Sequence, residues 1–122
     1  MTTAILTTGG RTYSNASRVI EALSAAPYPD VLIEGGATGA DTLCRLWAES
    51  RGIQVVTMKA NWSVHGRAAG PRRNGEMVRL ARALAAVGWH VQVVAFPGGS
   101  GTEGCVSQAL KAGLSVQRVV DG

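Results

Sequence analysis

Lysine is nearly absent from this chain: Lys59 and Lys111 are the two in 122 residues, and the arginines are scattered apart from Arg67, Arg72 and Arg73. A net charge of +4 and a pI near 9.7 favour anionic ligands. Without clustered lysines, however, no long basic face would track a nucleic-acid backbone, so the excess suits an anion pocket better than a duplex footprint. Charged residues make up only 16% against 46% hydrophobic, which excludes a disordered or fibrous chain. No apolar run approaches the length of a membrane span. The opening MTTAILTTGGRTYS has no basic segment before its apolar residues and no cleavage pattern, which predicts a cytoplasmic protein without a secretion or transit signal. The two cysteines, Cys44 and Cys105, lie far apart without metal-ligand spacing and are expected as reduced core residues. No cluster of His, Cys and carboxylate residues suggests a metal, nothing calls for a resident cofactor, and no nucleophile, histidine and acid triad is evident. The length predicts one domain, residues 1–122.

What is present is a strict alternation. Residues 4–8, 31–34, 53–58, 91–96 and 116–120 are apolar runs of strand length, and polar interruptions in the last two suggest edge strands. Between them fall helical spacings: Val19, Ile20 and Leu23; Leu43, Cys44, Trp47 and Ala48; Met77, Leu80, Ala81 and Leu84; Val106, Ala109 and Leu110, the last ended by Gly113. Alternation of this kind predicts a three-layer α/β/α sandwich around a mainly parallel five-stranded sheet. One long connection, residues 59–71, carries Trp62, His65 and Arg67 and reads as a functional loop.

Glycine is plentiful, and its placement is the strongest signal. Gly9 and Gly10 follow the first strand, Gly35, Gly36 and Gly39 the second, and Gly98, Gly99 and Gly101 the fourth. In a parallel sheet all three turns lie along the carboxyl edge, where such folds bind ligands. A bare backbone ahead of a helix offers unpaired N–H groups and partial positive charge to a phosphate. Ser100 or Thr102, and Thr38 in the second turn, would add a hydroxyl. Short βα turns also use glycine for tightness alone, but three clusters at one edge favour a ligand. Gly99, Gly101 and Gly104 also satisfy G-x-G-x-x-G, with Asp121 at nearly the distance of a ribose-binding acid. That motif normally opens the first βα unit of a longer sheet, so a nicotinamide dinucleotide is disfavoured.

GGATGAD (35–41), GPRRNGEM (70–77) and PGGSGT (97–102), with GGRTYSN (9–15) ahead of them, resemble the SLOG superfamily, and in particular its small single-domain phage and bacterial members. The resemblance implies a Rossmann-like fold, a nucleotide or nucleotide-derived ligand, and self-association. It also relates the chain to the "lonely guy" phosphoribohydrolases, formerly described as lysine decarboxylases, which cleave the N-glycosidic bond of cytokinin nucleotides. Their catalytic arginine corresponds to Arg73. Their catalytic glutamate, the ninth position of PGG-x-GT-x-x-E, corresponds here to Cys105. A thiol stabilises an oxocarbenium ion poorly, so this departure favours binding over hydrolysis.

Each remaining polar residue has two readings. Arg73 offers a fixed fork of donors to an anion, and Arg11 would reach the same group. Asn74 would read a base edge or ribose hydroxyl, or bond to its own helix turn. Asp41 would accept a ribose hydroxyl, replace the missing acid, or cap the second helix, the last being preferred. Trp62 would stack on a base or pack under its loop, and His65 reads as a surface residue. The expected function is a binding domain for a nucleotide or nucleotide-derived signal. The alternatives are a nucleoside monophosphate phosphoribohydrolase using Arg73 with Asp41, Glu76 or Glu103 as acid, and a DNA-associated module.

Overall fold

The computed structural model describes residues 1–25 and 28–121. Five strands, β1 (Thr3–Thr8), β2 (Val31–Glu34), β3 (Gln54–Thr57), β4 (His90–Ala95) and β5 (Ser115–Arg118), form one sheet of order β3-β2-β1-β4-β5. Every adjacent pair is parallel. Helices α1 (Ala16–Ser24), α2 (Ala40–Ser50), α4 (Ala69–Ala86) and α5 (Ser100–Lys111) cross between strands, with a short α3 (Trp62–His65) ahead of α4. The Rossmann-like α/β fold is therefore as the alternation predicts.

Strand side chains alternate between two cores. Ile5, Leu32 and Val94 face α1 and α2 with Val19, Leu23, Cys44 and Trp47, while Leu6, Ile33 and Val93 face α4 and α5 with Met77, Ala81, Cys105 and Ala109. Burying each large side chain stabilises the fold by about 1.5–3 kcal/mol. Both cysteines are free and buried, as expected.

Two expectations need correction. β4 is an interior strand between β1 and β5, and the edges are β3 and β5. Gln92, the polar interruption in β4, does not mark an edge: its side chain donates to Gln117 on the neighbouring β5 (2.9 Å). The connection at 59–71 is also largely helical. Asn61 caps α3 by accepting the Val64 N–H (3.3 Å), a 3₁₀ turn follows at Gly66–Ala68, and α4 begins at Ala69. Pro71 does not break α4 because it sits in the first turn, where its missing N–H would have had no partner.

The first three strands run outward from β1 to β3, after which the chain returns to lay β4 on the other side of β1. The strand order thus reverses between β1 and β4, and the carboxyl ends there form the natural ligand crevice.

Candidate functional site

At that crevice the exit loops of β1 and β4 are joined: the Gly10 N–H donates to the Pro97 carbonyl (2.9 Å). The β2 exit joins from the other side, where Ala40 N–H donates to the Gly10 carbonyl (3.1 Å) and the Thr38 hydroxyl to the Arg11 carbonyl (3.0 Å). The three glycine-rich turns therefore meet.

Most of the glycines are bare because protein atoms fill the space a side chain would need. A Cβ on Gly9 would lie 2.5 Å from Ala40 Cβ, one on Gly36 2.8 Å from Lys59 Cγ, and one on Gly98 2.7 Å from Gly10 N. On Gly10 it would meet the Pro97 carbonyl, on Gly35 the Arg73 guanidinium, and on Gly39 the Gly10 carbonyl. Gly39 has in addition φ +76° and ψ −125°, a conformation that L side chains rarely adopt. Gly99 and Gly101 differ, since nothing lies within 4 Å of where their Cβ atoms would be. The expectation that every cluster was stripped for a ligand is thus corrected: close packing of three turns accounts for most of it, and the open backbone is at the start of α5.

That start borders a cavity of about 590 Å³ lined by Gly9, Gly10, Arg11, Trp62, Arg67, Arg73, Asn74 and residues 99–102, among others. Gly99 is the N-cap of α5 and supplies no side-chain bond, so the amides of the first turn face the opening uncapped. Thr102 is buried beside them. Among the described residues no carboxylate lines this cavity, and three arginines do.

Arg73 is half-buried and held from two sides. Its Nη1 donates to the Gly35 carbonyl and its Nε to Asn74 Oδ1 (2.9 Å), while Asn74 Nδ2 donates to the Gly101 carbonyl (3.3 Å). One relay thereby ties the β2 exit, α4 and the start of α5. Asn74 is spent in that relay rather than turned outward to read a base, and Nη2 is the nitrogen of Arg73 left for an anion. Arg11 lies over the Trp62 ring, 4.8 Å from its centre, so one face of the proposed stacking residue already carries a cation. Trp62 remains 48% exposed and covers Gly70. Arg67 was not singled out as a site residue from sequence; its clustering with Arg72 and Arg73 was the available signal, and the turn at 66–68 is what brings it in. Gly35, Gly36 and Thr38 border an adjoining cavity of about 320 Å³ with Arg11 and Arg73, and Gly98 borders a third. Gly39 and Asp41 line none of the three.

The acids weighed as replacements for the missing glutamate do not face this cavity. Asp41 is buried in the first turn of α2, where it accepts the Ala37 N–H (3.2 Å) rather than capping the helix, whose N-cap is Gly39. Burial raises its pKa to about 6, opposed in part by the Ala37 N–H and by Arg73. Cys105 sits in the core under α5, where burial pushes its thiol upward. Glu103 points outward and is gripped by both terminal nitrogens of Arg118 (2.8 and 2.9 Å), which lowers its pKa. Glu76 is exposed and lines none of these cavities. Glu34, which sequence reading passed over as a strand residue, is fully buried and accepts from Gly36 N–H (2.7 Å) and the Thr57 hydroxyl. It clamps the β2 exit to β3.

The chain is 35% identical over 123 residues to Gene 61 protein of Mycobacterium phage D29, covering 92% of each. Its fold matches DNA processing protein A (DprA) of Streptococcus pneumoniae with a TM-score of 0.77 at 16% identity, spanning 99% of this chain and about half (51%) of that one. A family model matches residues 3–65, which hold the first two glycine turns and α3. The chain belongs to the YspA, cpYpsA-related SLOG family.

Proposed function

We propose that this protein binds a nucleotide or nucleotide-derived ligand through its phosphate, without cleaving it. The observation that carries this reading is the uncapped first turn of α5, open at Gly99 and Gly101, facing a cavity lined by Arg11, Arg67 and Arg73 and by no carboxylate among the described residues. Amides and a half-buried guanidinium act together on an anion more strongly than either alone. Hydrolysis of an N-glycosidic bond needs an acid or carboxylate beside the sugar. Of the acids weighed for that role, Asp41 is buried behind the cavity, Glu76 lies outside it and Glu103 is paired with Arg118, while Asp121, beside a neighbouring cavity, is engaged by the Tyr13 hydroxyl. SLOG membership supports a nucleotide-related role or one in DNA processing, and a cavity of about 590 Å³ is of the size that takes a small molecule.

Calorimetric titration of the protein with inorganic phosphate and AMP tests this. Binding is expected for both, with Arg73→Ala weakening it by roughly tenfold or more. Chromatography of the same mixtures should show no free adenine. Adenine release that disappears in Arg73→Ala would instead establish a phosphoribohydrolase. Tight DNA binding with a steep salt dependence would favour the DNA-associated role.

A further inference from the structure

Beside the arginine-lined cavity lies another, of about 510 Å³, which shares Gly10, Arg11 and Gly99 with it. Its walls are the β1 exit from Thr12 to Asn15, Pro97 and Gly98 of the β4 exit, and Asp121. Asp121 lies just past β5, and three contacts fasten its segment there. Val119 N–H donates to the Ala95 carbonyl (2.8 Å), Arg18 Nε to the Val120 carbonyl (3.1 Å), and the Tyr13 hydroxyl to Asp121 Oδ1 (2.7 Å). Tyr13, itself tilted against Phe96 with ring centres 5.6 Å apart, is a neutral phenol at pH 7, and burial together with Asp121 pushes its pKa further up, to about 12. The carboxylate is therefore held at the cavity wall by a hydroxyl that donates to it. Among the described residues Oδ2 has no hydrogen-bond partner.

The topology gives this placement a meaning. β4, the glycine-rich start of α5 and β5 form one parallel βαβ unit, in which Gly99, Gly101 and Gly104 open the helix and Asp121 closes the next strand's exit, twenty positions after Gly101. In such a unit a phosphate at the helix N-terminus leaves the attached sugar over the neighbouring strand end, where a carboxylate accepts its hydroxyls. This differs from a nicotinamide site at the first βα turn: the unit is the fourth, and only one nucleotide's worth of contacts is asked of it.

We propose that the second cavity is a ribose subsite, in which Asp121 accepts hydroxyl groups of a ribose 5-phosphate unit whose phosphate rests on the first turn of α5. The ligand class is thereby narrowed to ribonucleotides and related ribose phosphates, with deoxyribose forms rejected. The inference rests on the phosphate-binding reading above.

Ribose 5-phosphate and the four common ribonucleoside 5′-monophosphates, each against its 2-deoxy form, are titrated into the wild type, Asp121→Ala, Asp121→Asn and Arg73→Ala, with inorganic phosphate as a further probe. In the wild type at least one ribo form is expected to bind roughly tenfold or more tighter than its deoxy form, and the preference to collapse to about twofold or less in Asp121→Ala. Asp121→Asn, which keeps an acceptor for Tyr13 and so preserves the segment, should lose the preference as well. Arg73→Ala should weaken ribo and deoxy forms alike. Equal binding of ribo and deoxy forms by the wild type, or a preference that survives in Asp121→Ala, would overturn the ribose subsite while leaving the phosphate site standing. If inorganic phosphate and every sugar phosphate fail to bind, both readings fall.

Discussion

Asp41 shows how a single side chain is set by what surrounds it. A pKa raised from 3.8 to about 6 by burial means that the folded protein holds this proton more tightly than the unfolded chain. The sign follows directly: the stabilising contribution is complete below pH ~4, declines as pH rises, and is lost above ~6, a difference of about 3 kcal/mol. Asp41→Asn keeps an acceptor for the Ala37 N–H and carries no charge. Its unfolding free energy should be flatter than the wild type's between pH 4 and 6 and higher at pH 7, which urea denaturation across that range would measure. Arg73 acts on the same residue from the site side and lowers the pKa. Removing that guanidinium, or neutralising it with a bound anion, should move the midpoint of the pH dependence further up.

At the scale of elements, the glycine turns serve two purposes that their sequences do not distinguish. Gly39 is where the β2 exit passes against the β1 exit, and Gly101 is where α5 opens to the cavity. Gly39→Ala should lower stability by at least about 2 kcal/mol, from the backbone conformation together with the clash against Gly10 and Arg11. Gly101→Ala should instead raise it by about 0.5–1 kcal/mol, because alanine suits a helix better and meets no neighbour there. Its methyl group would narrow the cavity mouth and weaken phosphate binding. Thermal unfolding of the two variants, with and without phosphate, separates packing from recognition. The element boundaries were legible because apolar periodicity changes from strand to helix four times along the chain. The segment 59–71 was misread for a local reason. Gly66, Gly70 and Pro71 look like breakers, yet Pro71 falls where a helix tolerates it, and the Asn61 cap is a single side chain.

For the whole molecule, β1 is the centre of the sheet, with β2 and β4 on its two sides and core side chains on both faces. Its side chains should therefore dominate stability. Leu6→Ala, at a fully buried position, is expected to cost about 2–5 kcal/mol, whereas Val55→Ala on the half-covered edge strand β3 should cost about 1 kcal/mol or less. Chemical denaturation of the two variants checks the contrast. The same central position places the crevice, since the reversal of strand order beside β1 is what leaves room between the two exit loops.

Fold class, the approximate elements and the glycine turns were determined by the sequence alone, because periodicity and the missing Cβ are properties of the residues themselves. Strand order, the interior position of β4 and the meeting of Arg11, Arg67 and Arg73 at one cavity were decided only by the tertiary structure. So was the fate of the acids: Asp41 behind the cavity, Glu103 turned to Arg118, Asp121 brought to Tyr13 across 108 positions of chain. Whether a carboxylate meets a ligand or a protein partner depends on which distant backbone lies next to it, and one-dimensional spacing carries no information about that neighbour.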